Sequence, residues 1–193
     1  MNVIDQNLAL KKLDNGLPII FQTDTLPAIG CLPKFSEIIY KIKKRDIKKP
    51  LILMGAENYQ FHEFVQESAL DDYEYMASRY WPGALTIVIP ISEKKKSLLT
   101  SDNLTIGLRI PNSIMAKSLI KESGPLLTSS ANLSGLPTAT NAKDISNELS
   151  NVDILGPIPW VKCSGKASTI ISWVHRGKWE LIRAGQVSIS GLD

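Results

Sequence analysis

The chain has 193 residues, 44% of them hydrophobic and 21% charged, which leaves enough apolar material for a buried core and excludes a disordered or fibrous chain. No apolar run approaches the roughly 20 residues of a membrane span, and the start MNVIDQNLALKKL lacks the basic and apolar blocks of a secretory signal. Twenty-two Lys and Arg against 19 Asp and Glu give a net charge of +3, too mild to announce a nucleic-acid binder.

The expected molecule is therefore a single cytoplasmic domain over residues 1–193, bound to no membrane. Cys31 and Cys163 are far apart with no histidine in ligand spacing, so they read as free thiols, and a zinc site has no support.

In chain order, GLPIIFQTDT reads as a short buried strand that ends in a polar loop. Ser36 is a candidate cap for a helix through SEIIYKIKKR, with Ile38, Ile39 and Ile42 on one face. PLILMG is the next strand. The longest helix is expected from about Phe61 to Tyr80, stopped by Pro82-Gly83. ALTIVIPI and LTIGLRIP follow as strands, separated by the polar stretch SEKKKSLLTSDN. Ser113 would cap a helix through Lys121, Gly124-Pro125 would end it, and LLTSS returns to the sheet. A short helix is expected over Asn141–Leu149, then a hairpin from ASTIISWV and WELIRAG about the turn HRGK. Strands alternating with helices and closing on a hairpin predict an α/β fold with a mixed sheet.

Polar groups recur where four of these strands end or turn polar: Thr23 to Thr25, Thr105 with Arg109, Thr128 to Asn132, and Ser168 with Thr169. A strand end gains little stability from a hydroxyl that water could serve as well, so their recurrence points to one concave polar site. Beside them stands a dense basic block, Lys41, Lys43, Lys44, Arg45, Lys48 and Lys49, of the kind that meets an anion.

Familiar motifs fail. CSGKAST lacks the earlier glycine of a P-loop and carries Ala167 where Ser or Thr is required. There is no G-x-S-x-G, and His62 and His175 fall in a surface helix and a turn, so a Ser–His nucleophile is not expected. What remains is rich in cations and hydroxyls and poor in bases. That suits phosphoryl or nucleotidyl transfer, which draws mostly on positioning and charge neutralisation.

Six fragments in order resemble the YrdC family of threonylcarbamoyl-AMP synthases, also called TsaC. QTDTLPAIG is similar to the family's P-T-D-T-V-Y-G-L-G, IKKRDIKKPLIL to I-K-G-R-P-x-x-N-P-L, and WPGALTIVI to W-P-G-P-L-T. IGLRIPN is similar to V-R-x-P, TSSANLSGLPT to S-A-N-x-S-G-x-P, and ASTII with LIRAG to S-T-V and I-L-R-x-G.

The resemblance implies a YrdC-like twisted mixed β-sheet with flanking helices around a deep cavity. It also implies an enzyme that makes threonylcarbamoyl-AMP and pyrophosphate from L-threonine, bicarbonate and ATP, for t⁶A modification of tRNA. Mg²⁺ would arrive with ATP, and tRNA or the proteins that complete the transfer would be partners. The family's K-x-R and S-x-N tetrad would be the catalytic Lys43, Arg45, Ser130 and Asn132. ATP would meet Arg45, Lys49, Thr105, Ser130, Thr138 and Arg183, while threonine would meet Thr25, Arg109, Thr128 and Ser168.

Several positions depart from the family pattern: Gln22, Leu26-Pro27-Ala28, Lys44, Lys49, Ala84, and Met54 where many members carry His. A YrdC-like paralogue with a different or lost activity and an RNA-binding module stand as the alternatives.

Overall fold

A computed structural model describes residues 1–98 and 104–192. Residues 99–103 of the expected polar stretch lie outside them. The strands are β1 (Val3–Ile4), β2 (Ile19–Phe21), β3 (Ala28–Cys31), β4 (Ile52–Met54), β5 (Leu85–Pro90), β6 (Thr105–Arg109), β7 (Leu126–Ser130), β8 (Asp153–Leu155), β9 (Thr169–His175) and β10 (Lys178–Arg183). They form one ten-stranded mixed sheet in the order β1-β8-β2-β3-β7-β4-β6-β5-β9-β10. The helices are α1 (Gln6–Asp14), α2 (Glu37–Lys43), α3 (Leu70–Tyr80), α4 (Ile114–Ser123) and α5 (Ala142–Glu148).

Alternation along each strand sorts side chains onto two faces. Ile20, Ile29, Leu53, Ile87, Ile89, Ile106, Leu108, Leu127 and Ile171 enter one core, together with Ile39 of α2, Tyr73 of α3 and Ile145 of α5. Their neighbours one residue away turn to the other face. At one end of the sheet, Ile19, Phe21, Ala28 and Met54 join Leu13 of α1 and Ala116, Leu119 and Ile120 of α4 in a second core. Helices therefore cover one face and part of the other, and the uncovered part carries the cavity.

The local signals explain most elements. Ser113 caps α4 by accepting a hydrogen bond from the Ala116 N–H at 3.3 Å, and Asn141 caps α5 by accepting from the Asp144 N–H at 3.0 Å. Ser36 precedes α2 but makes no side-chain cap, because a turn of 3₁₀ helix over Pro33–Phe35 already leads into the helix.

The helix expected from Phe61 is shorter than its pattern. Residues 61–69 are tied to the sheet: Val65 bridges Ile91, Gln66 N–H donates to the Pro90 carbonyl at 3.0 Å, and Ser92 N–H to that of Phe64 at 2.8 Å. Phe61, Phe64 and Val65 are buried in these irregular turns, so tertiary packing overrides the helical spacing and α3 begins only at Leu70.

Candidate active site

A cavity of about 740 Å³ lies across the free face of the sheet. Its walls are built from alternate residues of neighbouring strands: Thr86 and Val88 on β5, Thr105, Gly107 and Arg109 on β6, Ile52 and Met54 on β4, Thr128 and Ser130 on β7, Ile170 and Ser172 on β9. The polar groups expected at strand ends thus share a sheet face as well. The site sits over the strands rather than beyond them.

The sequence-derived residues fall into two groups. Thr25, Arg45, Lys49, Thr105, Arg109, Thr128, Ser130, Thr138, Ser168 and Arg183 line the cavity; Lys43 and Asn132 do not. Lys48, which the sequence offered only as part of a basic block, also lines it, as do Ser129 and Thr86.

Lys43 lies one turn after Ile39 on the buried side of α2, and only 1% of its surface is exposed. Its ammonium Nζ donates to the carbonyls of Ser130 and Asn132 and, at 3.2 Å, to Asn132 Oδ1. Burial first, and the neighbouring Arg45 charge after it, push this lysine down to about 8, against a smaller opposing pull from Glu148. Asn132 completes the clamp: Oδ1 accepts from Ser130 Oγ at 2.6 Å, and Nδ2 donates to the carbonyls of Leu133 at 3.0 Å and Leu136 at 2.5 Å. Asn132 lies in the loop after β7 and Lys43 packs against it, and together they fix the loop's shape where it leaves Ser130, the last residue of β7, on the cavity wall. In this structure the Lys43 ammonium is buried and taken up by the loop it holds.

Arg45 and Arg183 are held from behind. Arg45 donates from Nε to the Lys49 carbonyl at 3.1 Å and from Nη2 to that of Pro50 at 3.0 Å. Arg183 donates from Nε and Nη2 to the Ser168 carbonyl at 3.1 and 2.8 Å. The approach of these two segments requires Gly185, because a Cβ there would meet the backbone of Ser168 and Thr169 at 2.4 Å. Desolvation lowers both arginines from their ordinary values, yet a guanidinium keeps its proton at any working pH.

Arg109 is 3% exposed. Its Nη2 pairs with Asp24 Oδ1 at 2.6 Å, its Nη1 donates to Thr25 Oγ1 at 2.8 Å, and its Nε donates to the Gly83 carbonyl at 3.1 Å. One N–H on each terminal nitrogen has no partner among the described residues, and two such donors are the number a carboxylate accepts. Thr23 Oγ1 shapes this loop by donating to the Leu26 carbonyl at 2.7 Å and accepting from the Thr25 N–H at 3.2 Å. Across the cavity, Thr86 and Ser168 share a hydrogen bond of 2.9 Å.

Among the described residues no Asp, Glu, His or Cys lines the cavity, and no group of three or more such residues could hold a metal ion. No described helix is long and apolar enough to cross a membrane. The site can therefore neutralise anions, orient hydroxyls and carboxylates, and exclude water over an apolar floor of Ile52, Met54 and Val88. It carries no nucleophile–base pair.

Comparison with known proteins gives consistent matches. The model of the Sua5, YciO and YrdC family, described as "Telomere recombination", matches residues 11–185. The threonylcarbamoyl-AMP synthase of Photobacterium profundum is 30% identical over 142 residues, covering 71% of this chain and 77% of the relative. That of Bacillus subtilis is 33% identical over 136 residues, covering 68% of this chain but 39% of the longer relative.

Among solved structures, P. abyssi Sua5 complexed with L-threonine superposes with a TM-score of 0.84 at 28% identity, over 96% of this chain. This chain spans 57% of that protein. E. coli YciO superposes with a TM-score of 0.79 at 24% identity, over 98% of this chain and 94% of its own, a likeness of fold.

Proposed function

The chain belongs to the family of Sua5, YciO and YrdC proteins, and from that membership and the make-up of its cavity we infer that it is an L-threonylcarbamoyladenylate synthase. It combines L-threonine, bicarbonate and ATP into threonylcarbamoyl-AMP and pyrophosphate, the activated intermediate for t⁶A modification of tRNA. Relatives at about 30% identity are named for this activity, and a solved relative holds L-threonine.

The single observation that carries the assignment is the pairing, within one cavity, of a buried arginine with two N–H groups to spare and a set of more exposed cations. The first matches an amino-acid carboxylate, the second a triphosphate.

In this reading threonine places its carboxylate on Arg109, and its side chain lies among Thr25, Thr128 and Ser168. ATP lays its phosphates along Arg45, Lys48, Lys49 and Arg183, with Ser130, Thr105 and Thr138 donating or accepting beside them. The threonine amine condenses with bicarbonate, losing water, to give a carbamate. A carbamate oxygen then forms a bond to the α-phosphorus as the bond to the departing pyrophosphate breaks. The nucleophile comes from the substrates, which fits a lining without histidine, cysteine or carboxylate. The protein contributes alignment and charge. Mg²⁺ would come with the nucleotide, since the described residues of the cavity wall offer it no carboxylate, and it would share with Arg45, Lys48, Lys49 and Arg183 the neutralisation of phosphate charge. The setting is the cytoplasm, and tRNA or the proteins that complete the transfer are the partners.

The test is pyrophosphate release from ATP and bicarbonate with each amino acid in turn. Release that depends on threonine is expected, with serine a poorer and valine the poorest substitute. Release with no amino-acid dependence would overturn the assignment.

A further inference from the structure

The cavity wall is one-signed. Arg45, Lys48, Lys49, Arg109 and Arg183 line it, and no carboxylate among the described residues does. Four of these cations are half-buried to exposed, and none of the four forms an ion pair among the described residues. Asp46, the acidic residue within the basic block, turns its carboxylate to the Lys48 backbone N–H at 2.9 Å. Arg109 alone is buried, and alone is neutralised, by Asp24 standing just behind the wall at 2.6 Å with 15% of its side chain exposed.

Structural need does not by itself explain this carboxylate. Arg109 already has the Gly83 carbonyl and Thr25 Oγ1 as acceptors. An unpaired guanidinium in that position, with Arg183 close enough to disfavour its charge further, would be the cavity's strongest trap for a polyanion. The reaction as read above places the triphosphate and pyrophosphate in the same cavity as threonine. Something must keep them off Arg109.

We infer that Asp24 is a specificity-determining residue: by neutralising Arg109 it makes the inner end of the cavity accept a zwitterionic amino acid and reject phosphates, which are left to the outer cations. A fixed negative charge beside the guanidinium repels a pyrophosphate, with several charges, far more than a carboxylate that arrives with its own ammonium group. Asp24 acts through Arg109 and does not itself reach the cavity.

The inference rests on the threonine-site reading of Arg109, and calorimetry separates the two. L-Threonine is titrated into the wild-type protein and into Asp24→Asn, each without and with saturating inorganic pyrophosphate. In the wild type, pyrophosphate is expected to leave the threonine Kd within about twofold. In Asp24→Asn, which keeps the shape and an acceptor oxygen but not the charge, pyrophosphate is expected to raise that Kd about tenfold or more. Asp24→Glu, which restores the charge, is expected to restore the insensitivity.

If Asp24→Asn binds threonine with the wild type's indifference to pyrophosphate, the inference is overturned and the threonine site stands. If the wild type binds no threonine, the functional reading falls and the inference with it. Should Asp24→Asn fail to fold, the wild type alone decides: direct competition between pyrophosphate and threonine overturns the inference, and independent binding supports it.

Discussion

Replacing Asn132 by Ala removes four contacts at once: those of Oδ1 with Ser130 Oγ and Lys43 Nζ, and those of Nδ2 with the Leu133 and Leu136 carbonyls. Asn132 is 7% exposed, so water cannot fully replace them. At about 1 kcal/mol net for each, less some relaxation of the outer turn, the loss is about 3 kcal/mol. For a chain of this length that corresponds to a fall in melting temperature of roughly 6–12 °C. Because the clamp shapes the loop that follows Ser130, ATP affinity should fall in the same variant while threonine affinity changes little.

Asn132→Asp retains the two Oδ1 contacts and faces Lys43 with an opposite charge, but it turns an oxygen toward two carbonyls, so it recovers only part of the loss. Thermal melts and calorimetry with ATP on both variants provide the test. A melting temperature within about 2 °C of wild type, together with unchanged ATP affinity, would refute the clamp.

Three further outcomes are expected. Arg109→Lys keeps the charge beside Asp24 but cannot also reach Gly83, Thr25 and both carboxylate oxygens, so threonine affinity should fall about tenfold or more while ATP affinity holds. A loss confined to ATP would remove Arg109 from the threonine end. Lys44 has φ +50° at the end of α2, a left-handed conformation that disfavours a side chain, so Lys44→Gly should stabilise the fold by roughly 0.5–1 kcal/mol with activity retained; a destabilised variant would contradict this.

Lys43 is lowered from 10.5 to about 8. Between those values the unfolded chain holds a proton that the folded chain has released. The Lys43 contribution to stability should therefore rise with pH across that window by about 3 kcal/mol, and be level with pH below 8, where both states hold the proton. The difference between the wild-type and Lys43→Met stability curves should show this rise, and parallel curves would rule it out.

Strands with clear alternation or turn signals were legible from residues alone: β5, β6, β7 and the hairpin β9–β10 fall where the pattern puts them. Four elements escaped for physical reasons. β1, β3 and β8 are two, four and three residues long, too short for a period to register. α1 was announced by Asp5, which accepts from the Leu8 N–H at 2.8 Å, but its buried side is only Ala9 and Leu13 among polar neighbours. In the site, the alternate positions Thr105, Gly107 and Arg109 of TIGLR already marked one strand face as polar or small. Read by that period, they point to a cavity lying over the sheet.

The roles of Lys43 and Asp24 were not legible in composition. Lys43 belongs to a dense basic block, yet its i, i+4 relation to Ile39 turns it inward while Arg45, Lys48 and Lys49 line the cavity. Asp24 reads as one more polar loop residue until the fold brings Arg109 to it from 85 positions away.

The synthase assignment is tested most directly by following the carbon. The protein is incubated with ATP, L-threonine and ¹³C-labelled bicarbonate, and the adenylate products are resolved by mass spectrometry. A threonylcarbamoyl-AMP synthase yields an adenylate that contains threonine and one labelled carbon, formed together with pyrophosphate and only when bicarbonate is present. An adenylate that contains threonine without the label, or pyrophosphate release indifferent to bicarbonate, would contradict the assignment.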